Sequence, residues 1–339
     1  MFNRLPFLFF FHKRCALLAV SALSLAIPVV PLFPQALPNK THANELLQKT
    51  IESQDLQSAE GPPFHLVAHV RYTLGGKTSD GVYEVLWESQ GRFRENFQLE
   101  KMTEIDVVLA NKIYILRNTA TLTPQFQYLR NFVHHPISLY LGSRSTAHKI
   151  YSDVNGEERR SCIVPSENQN DKICLDPATN LVVSVNLESP VPSQPYDLRE
   201  EDFVSLGTRR YPRLMTRRIP GQTIEVKVER LAEATSFGPD VFVPPLNSEA
   251  RDWCLHPSLA PGHYFHASPF PKTSPPGIFF PYYILTGTDG HIKKFISLNP
   301  SASQNDPAIA KWIRDANFPI WVCGSKPIEN EVIRMNGPE

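Results

Sequence analysis

The sequence predicts an α+β protein dominated by antiparallel sheet, with few helices. Three observations carry this. In residues 81–99, GVYEVLWESQGRFRENFQL, Tyr83, Val85 and Trp87 alternate with Glu84, Leu86 and Glu88. After Ser-Gln-Gly, Phe93, Phe97 and Leu99 alternate with Arg94, Asn96 and Gln98. A period of two puts the aromatic set on one side of a hairpin whose other side is wet, so the sheet is covered on one face. Roughly ten or eleven runs of this kind follow one another with turn signals between them. The 31 prolines against 16 glycines favour strand ends and extended connections over long helices.

The 34 basic and 34 acidic side chains cancel, which leaves no field to draw in nucleic acid or an anionic membrane. Residues 1–43 read as a secretory signal peptide. Arg4, Lys13 and Arg14 precede an apolar run from Cys15 to Phe33, and small-residue cleavage patterns follow at Pro34-Gln35-Ala36 and Thr41-His42-Ala43. An uncleaved membrane anchor is the alternative, against which Pro28, Pro31 and the alanine content argue. Cys15 stands at the start of the apolar run rather than after it, so a lipidated cysteine is not expected.

The elements then follow in order. Residues 44–57 carry Leu46, Leu47, Ile51 and Leu56 at helical spacing. After Gly61-Pro62-Pro63, a strand places Leu66, Ala68, Val70 and Tyr72 on one face, and Gly75-Gly76 turns the chain into the 81–99 hairpin. IDVVLA and KIYILRN flank a tight turn expected at Asn111-Lys112. Thr123-Pro124 opens a helix that ends near His134-His135-Pro136. Strands resume with HKIYSDV, an Asn155-Gly156 turn, EERRSCIV, DKICLD and LVVSVNL, the last with Leu181, Val183, Val185 and Leu187 on one side. FVSLG, YPRLMTRRI and TIEVKVERL follow, with Ile224, Val226 and Val228 alternating with Glu225, Lys227 and Glu229.

Residues 44–243, with a leading helix, successive strands and the Tyr/Trp, Gly-Arg-Phe-Arg hairpin, resemble the LolA/LolB-like periplasmic lipoprotein-carrier superfamily. The resemblance implies an open, strongly curved antiparallel sheet, a half-barrel with helices on its concave side. Tyr83, Val85, Trp87, Phe93 and Phe97 would then line a cavity for a lipid or acyl chain. The plainer alternative makes the same residues core.

Residues 244–277 are dense in proline and read as an extended linker to a second domain at 278–339. There, two strands surround Asp289-Gly290, Asp306-Pro307 opens a helix carrying Ile309, Trp312 and Ile313, and residues 329–335 read as a closing strand. Gly287 to Ile296, Asp306 to Arg314, Phe318-Pro319, Gly324 and Pro327-Ile328 together resemble the TonB C-terminal domain, a small β-β-α-β unit. That resemblance implies an envelope partner bound by strand addition, with Glu331, Ile333 and Met335 supplying selectivity. The alternative is an edge blunted by Glu329, Glu331 and Arg334. The long Lys-Pro/Glu-Pro spacer of an energy-transducing TonB is missing, so TonB-type transport is only an alternative role.

Export makes disulfides of Cys162, Cys174, Cys254 and Cys323 the expectation, with three pairings open. One hairpin staple and one tie from linker to last domain would satisfy the spacing.

Enzyme signatures are scarce: G-x-S-x-G, H-E-x-x-H, a phosphate-binding glycine loop and a nucleotide fingerprint are all missing. Neither catalytic residues nor a cofactor are expected. Cys254, His256, His263 and His266 are metal-competent types in a spacing that matches no established site. His134-His135 reads as a helix cap, and the arginine pairs beginning at 159, 209 and 217 as a solvated face. The sequence therefore points to an exported, periplasmic or envelope, non-enzymatic protein that binds a hydrophobic ligand and an envelope partner. A structural adaptor without ligand is the alternative.

Overall fold

The fold is described from a computed structural model over residues 40–56, 61–134, 149–155, 158–164, 171–187, 196–219, 221–254, 257–260, 280–297, 311, 315 and 318–336. The leader, residues 1–39, lies outside them.

Helix α1 (Lys40–Gln54) starts earlier than its apolar spacing suggests. Its buried stripe is Ala43, Leu47, Thr50 and Gln54 rather than a run of leucines and isoleucine, with Leu46 and Ile51 at its margins. The two polar members are tolerated because each has partners. Thr50 Oγ1 donates to the Leu46 and Asn180 carbonyls, and Gln54 bridges Glu200 and the Val182 amide.

Thirteen strands then build one antiparallel sheet. They begin with β1 (Phe64–Leu74), β2 (Lys77–Ser89), β3 (Arg92–Leu99), β4 (Met102–Leu109) and β5 (Lys112–Arg117). These pair as successive hairpins. At the β1–β2 turn, Gly75 and Gly76 have φ of +55° and +82°, a conformation that costs glycine nothing. Gly81 serves differently: a Cβ there would lie 2.1 Å from the Gln98 carbonyl oxygen on β3, so only glycine lets the strands meet at this pair. The β4–β5 turn is centred on Ala110-Asn111, one residue before the expected position. Ala110 takes φ +54°, and its amide donates to the Gly91 carbonyl at 2.6 Å.

Helix α2 (Pro124–His134) starts where Thr123-Pro124 indicates, with Thr123 Oγ1 accepting from the Phe126 amide. Beyond it come β6 (Lys149–Asn155), β7 (Glu158–Val164), β8 (Lys172–Leu175), β9 (Val182–Leu187), β10 (Tyr196–Leu206), β11 (Arg209–Ile219) and β12 (Gln222–Glu233). The strand order is β13-β5-β4-β3-β2-β1-β12-β11-β10-β9-β8-β7-β6, where β13 (Glu249–Asp252) arises inside the proline-rich stretch and pairs with β5. β12 closes back onto β1 with Ile224, Val226 and Val228 buried as their alternation indicates. β9 does not keep a strict period of two. Val182, Ser184 and Val185 are all buried while Val183 is half-buried, because the β8–β9 register shifts at Cys174/Leu175.

The C-terminal part contributes two three-stranded sheets. β15 (Phe280–Thr286) and β16 (Ile292–Ser297) form the hairpin around Asp289-Gly290, and β19 (Asn330–Asn336) pairs antiparallel with β15. β14 (Ser258–Leu259), β17 (Trp321–Cys323) and β18 (Lys326–Ile328) make the other sheet, for which the alternation gave no signal. Of the expected helix after Asp306, only Lys311 and Asp315 are among the described residues, and both are helical.

The cysteines pair as Cys162–Cys174, across the β7–β8 hairpin, and Cys254–Cys323, which joins the end of β13 to β17. Cys254 is therefore no thiolate ligand, and the histidines proposed beside it lie outside the described residues. Among the described residues, no helix is long and apolar enough to cross a membrane.

Candidate functional site

One face of the large sheet is aromatic, and α2 lies on it. Tyr83, Val85, Trp87, Phe93 and Phe97 are all between 0 and 4% exposed. Phe64 stacks near Trp87, Trp87 on Phe93 at 4.9 Å, and Phe97 on Phe126 of α2 at 4.6 Å, while Tyr83 meets the edge of Phe126. Trp253, just past β13, turns its ring edge to Phe93. The five residues picked out by alternation thus sit together in one core cluster with Phe126, Leu129 and Phe132 of α2.

A chain of buried charges runs through this face. On β3, Glu95 lies between Phe93 and Phe97 on the same side, and on β4 Glu104 and Asp106 point inward with Val108. Arg130 of α2 pairs with both Glu95 and Asp106, its guanidinium also 4.5 Å from the centre of the Phe126 ring. His134, at the end of α2, brings Nε2 to 2.5 Å from Glu95 Oε1 and 2.7 Å from the Tyr83 hydroxyl, which donates to the same carboxylate at 2.9 Å. His134 at the helix end is thus a buried partner of Glu95 and Tyr83.

Complete burial penalises the Glu95 carboxylate, yet Arg130 and His134 outweigh it and hold the group at about 2. The opposite balance holds next door. Burial and the adjoining Asp106 push the Glu104 carboxyl up to about 8 against the pull of Arg117 and Arg130. Burial likewise raises Asp106 against Arg130, with Glu95 adding to the rise.

Glu331 carries the chain of charges into β19. Its carboxylate accepts from Arg117 Nη1 at 2.9 Å and Nη2 at 3.3 Å, and from the Tyr283 hydroxyl at 2.6 Å, with Arg251 Nη1 at 3.0 Å. Although Glu331 is largely buried, the hydrogen bonds and charge of Arg117, helped by Arg251, hold it below its ordinary value. Its side chain is therefore engaged within the chain, while Ile333 and Met335 follow on β19, whose described neighbour is β15 alone. Glu329 pairs with Lys293 of β16.

A second buried carboxyl stands apart. Glu200 of β10 is fully enclosed and accepts from Gln54 of α1 at 2.6 Å, and burial pushes it up to about 8. The expected solvated arginine face is also divided. Arg209 is buried and donates to the Leu56 carbonyl, and Arg217 lies over the Tyr128 ring at 5.2 Å, whereas Arg210 and Arg218 are exposed. Among the described residues, no group of three or more His, Cys, Asp or Glu side chains is arranged to hold a metal ion.

Alternation by itself does not single out Glu104, Arg130 or Arg117, whereas Glu95 and Asp106 carry a signal in the sequence: an acidic residue at the inward phase of a strand, flanked two residues away by an aromatic (Phe93, Phe97) or a valine (Val108), marks a buried charge that needs a partner.

No family model matches the sequence, and no curated protein matches it. Among solved structures, the chain is similar to a LolA superfamily protein from Nitrosomonas europaea, with TM-score 0.39 and 12% identity over 59% of this chain and 97% of that one. It is similar also to a DUF1329 family protein from Desulfovibrio piger, with TM-score 0.41 and 9% identity over 60% of this chain and 96% of that one. A third is the MucA/MucB complex from Pseudomonas aeruginosa, with TM-score 0.28 and 13% identity over 73% of this chain and 81% of that one.

Proposed function

We propose that this chain is an exported cell-envelope binding protein, without enzymatic activity, that holds a lipid or acyl chain between α2 and the aromatic face of the large sheet. The observation that carries this is the face itself: a continuous, one-sided run of rings from Phe64 through Trp87 and Phe93, with Phe97 and Tyr83 beside it, covered by the short helix α2. An apolar face with a few convergent polar groups, here Tyr83, Glu95 and Arg130, is the usual chemistry of a small-molecule site. A ligand would replace the contacts of α2 with the sheet, at about 25 cal/mol per Å² of apolar area regained, less the cost of ordering. Paired cysteines support export to an oxidising compartment. The C-terminal strands, resembling a TonB C-terminal domain, would meet an envelope partner by adding a strand to β19, where Ile333 and Met335 lie.

The second reading, an adaptor with a permanently filled sheet, is favoured by the near-complete burial of the same five side chains. Native mass spectrometry of the protein purified from its own periplasm, followed by solvent extraction, separates the two. The ligand reading expects a stoichiometric acyl species that disappears when Trp87 or Phe97 is replaced by Asp. A clean ligand-free mass from every preparation sinks it and leaves the adaptor.

A further inference from the structure

We infer that the buried Glu104 carboxyl sets how firmly the C-terminal sheet is held against the large sheet, acting through Arg117, the cation it shares with Glu331. Arg117 of β5 stands between two carboxyls from distant parts of the chain. Its hydrogen bonds go to Glu331, while Nη2 lies 3.0 Å from Glu104 Oε1 without a hydrogen bond, since that oxygen has no hydrogen-bond partner. Asp106 Oδ1, buried alongside, has none either.

The charge count points the same way. Four carboxyls, Glu95, Glu104, Asp106 and Glu331, share three guanidiniums, Arg117, Arg130 and Arg251. The carboxyls thus outnumber the guanidiniums by one, and His134 stands at the Glu95 end, beside Arg130 and not against Glu104. At the other end, the charged groups facing Glu104 are Asp106 from its own strand, Arg117 from β5, Arg130 from α2 and Glu331 from β19. Arg251 of β13, whose second partner is the exposed Glu249, reaches Glu331 rather than Glu104. The excess carboxyl therefore lies at the Glu104–Asp106 end, where burial favours the protonated form of both.

With Glu104 neutral, Arg117 is committed to Glu331 and β19 is held. With Glu104 ionised, the two carboxylates compete for one guanidinium and the hold loosens. The sign follows from linkage. Releasing the C-terminal sheet opens Glu104 to water, so the docked state binds the proton more tightly, and docking weakens as pH rises from about 4.5 to about 8. The steepest dependence one proton allows is about tenfold per pH unit. Below that window Glu331 itself takes up a proton and the hold is lost from the other side.

The test uses the full chain with its disulfides intact and Leu285→Cys as a reporter thiol, since Leu285 of β15 is buried in the shared core. Its rate of reaction with a disulfide reagent, divided by that of a free thiol at the same pH, reports undocking. Protection is expected to fall by up to about tenfold per unit between pH 5 and 8, and to be flat when Glu104→Gln is added. An unchanged slope in the Glu104→Gln background, or no slope in either protein, overturns the inference. Should that variant not fold, the Glu104 carboxyl carbon is titrated by NMR in the unaltered chain: a midpoint near 8 is expected, and one near the ordinary 4.5 refutes it.

Discussion

Glu331 on the last strand accepts two hydrogen bonds from Arg117, a residue 214 positions earlier, and this contact ties β19 to β5 of the large sheet. Both side chains are largely withdrawn from water, so removing one leaves the other buried without its counter-charge. Glu331→Ala is expected to cost about 3–5 kcal/mol in urea unfolding. The double replacement Arg117→Met with Glu331→Leu should recover most of that loss, and a double variant as unstable as the single one would show that the contact is not what Ala removed.

Glu95 gives the protein an acid limit. Its folded value of about 2 lies below the ordinary 4.5, so its contribution is complete above the ordinary value and is lost as pH falls towards 2. The difference amounts to about 3 kcal/mol. A pH series of unfolding free energies should show this loss in the unaltered chain and a shallower one in Glu95→Gln, whose neutral amide does not titrate.

Glu200 acts in the opposite direction. Its carboxyl is raised to about 8, so the stability it lends is complete below the ordinary value and declines as pH rises to 8. Glu200→Gln should remove that decline, making the variant the more stable protein at pH 8.5. Chemical denaturation at pH 5 and 8.5 measures it, and equal pH dependence in both chains would count against the burial of this carboxyl.

Phe126 is the centre of the helix-to-sheet contact, stacked on Phe97 and edge-on to Tyr83. Phe126→Ala should cost about 3–5 kcal/mol, as for other buried aromatics, while Phe126→Leu should cost less than half of that. Far-UV circular dichroism with urea reads both.

The disulfides differ in the length of chain they close. Cys254–Cys323 spans 69 residues and Cys162–Cys174 spans 12. On loop entropy alone, replacing the first pair by alanine should destabilise by about 4 kcal/mol and the second by about 3 kcal/mol. The reverse order would place the larger effect in native packing around β7 and β8.

The sheet was legible because its signals are local. Tyr83, Val85, Trp87, Phe93 and Phe97 share a face by their spacing alone, and Gly75-Gly76 and Asp289-Gly290 name their turns by backbone freedom. Slips came where a neighbour overrode the local rule. Ala110 moved the β4–β5 turn by one residue, the register shift at Cys174/Leu175 broke the alternation of β9, and Thr50 and Gln54 took buried places on α1 because Asn180, Val182 and Glu200 were there to receive them.

Alternation and turn chemistry therefore determined, from the sequence by itself, that this chain would make an antiparallel sheet with one aromatic face, since both depend on residues within a few positions of one another. The partners of its buried charges were decided only by tertiary structure. Glu95 meets His134 across 39 residues, Gln54 meets Glu200 across 146 and Arg117 meets Glu331 across 214. Whether a carboxyl is held at about 2 or pushed to about 8 depends on which cation the fold brings within a few ångströms in a water-poor interior, and no spacing along the chain encodes that distance.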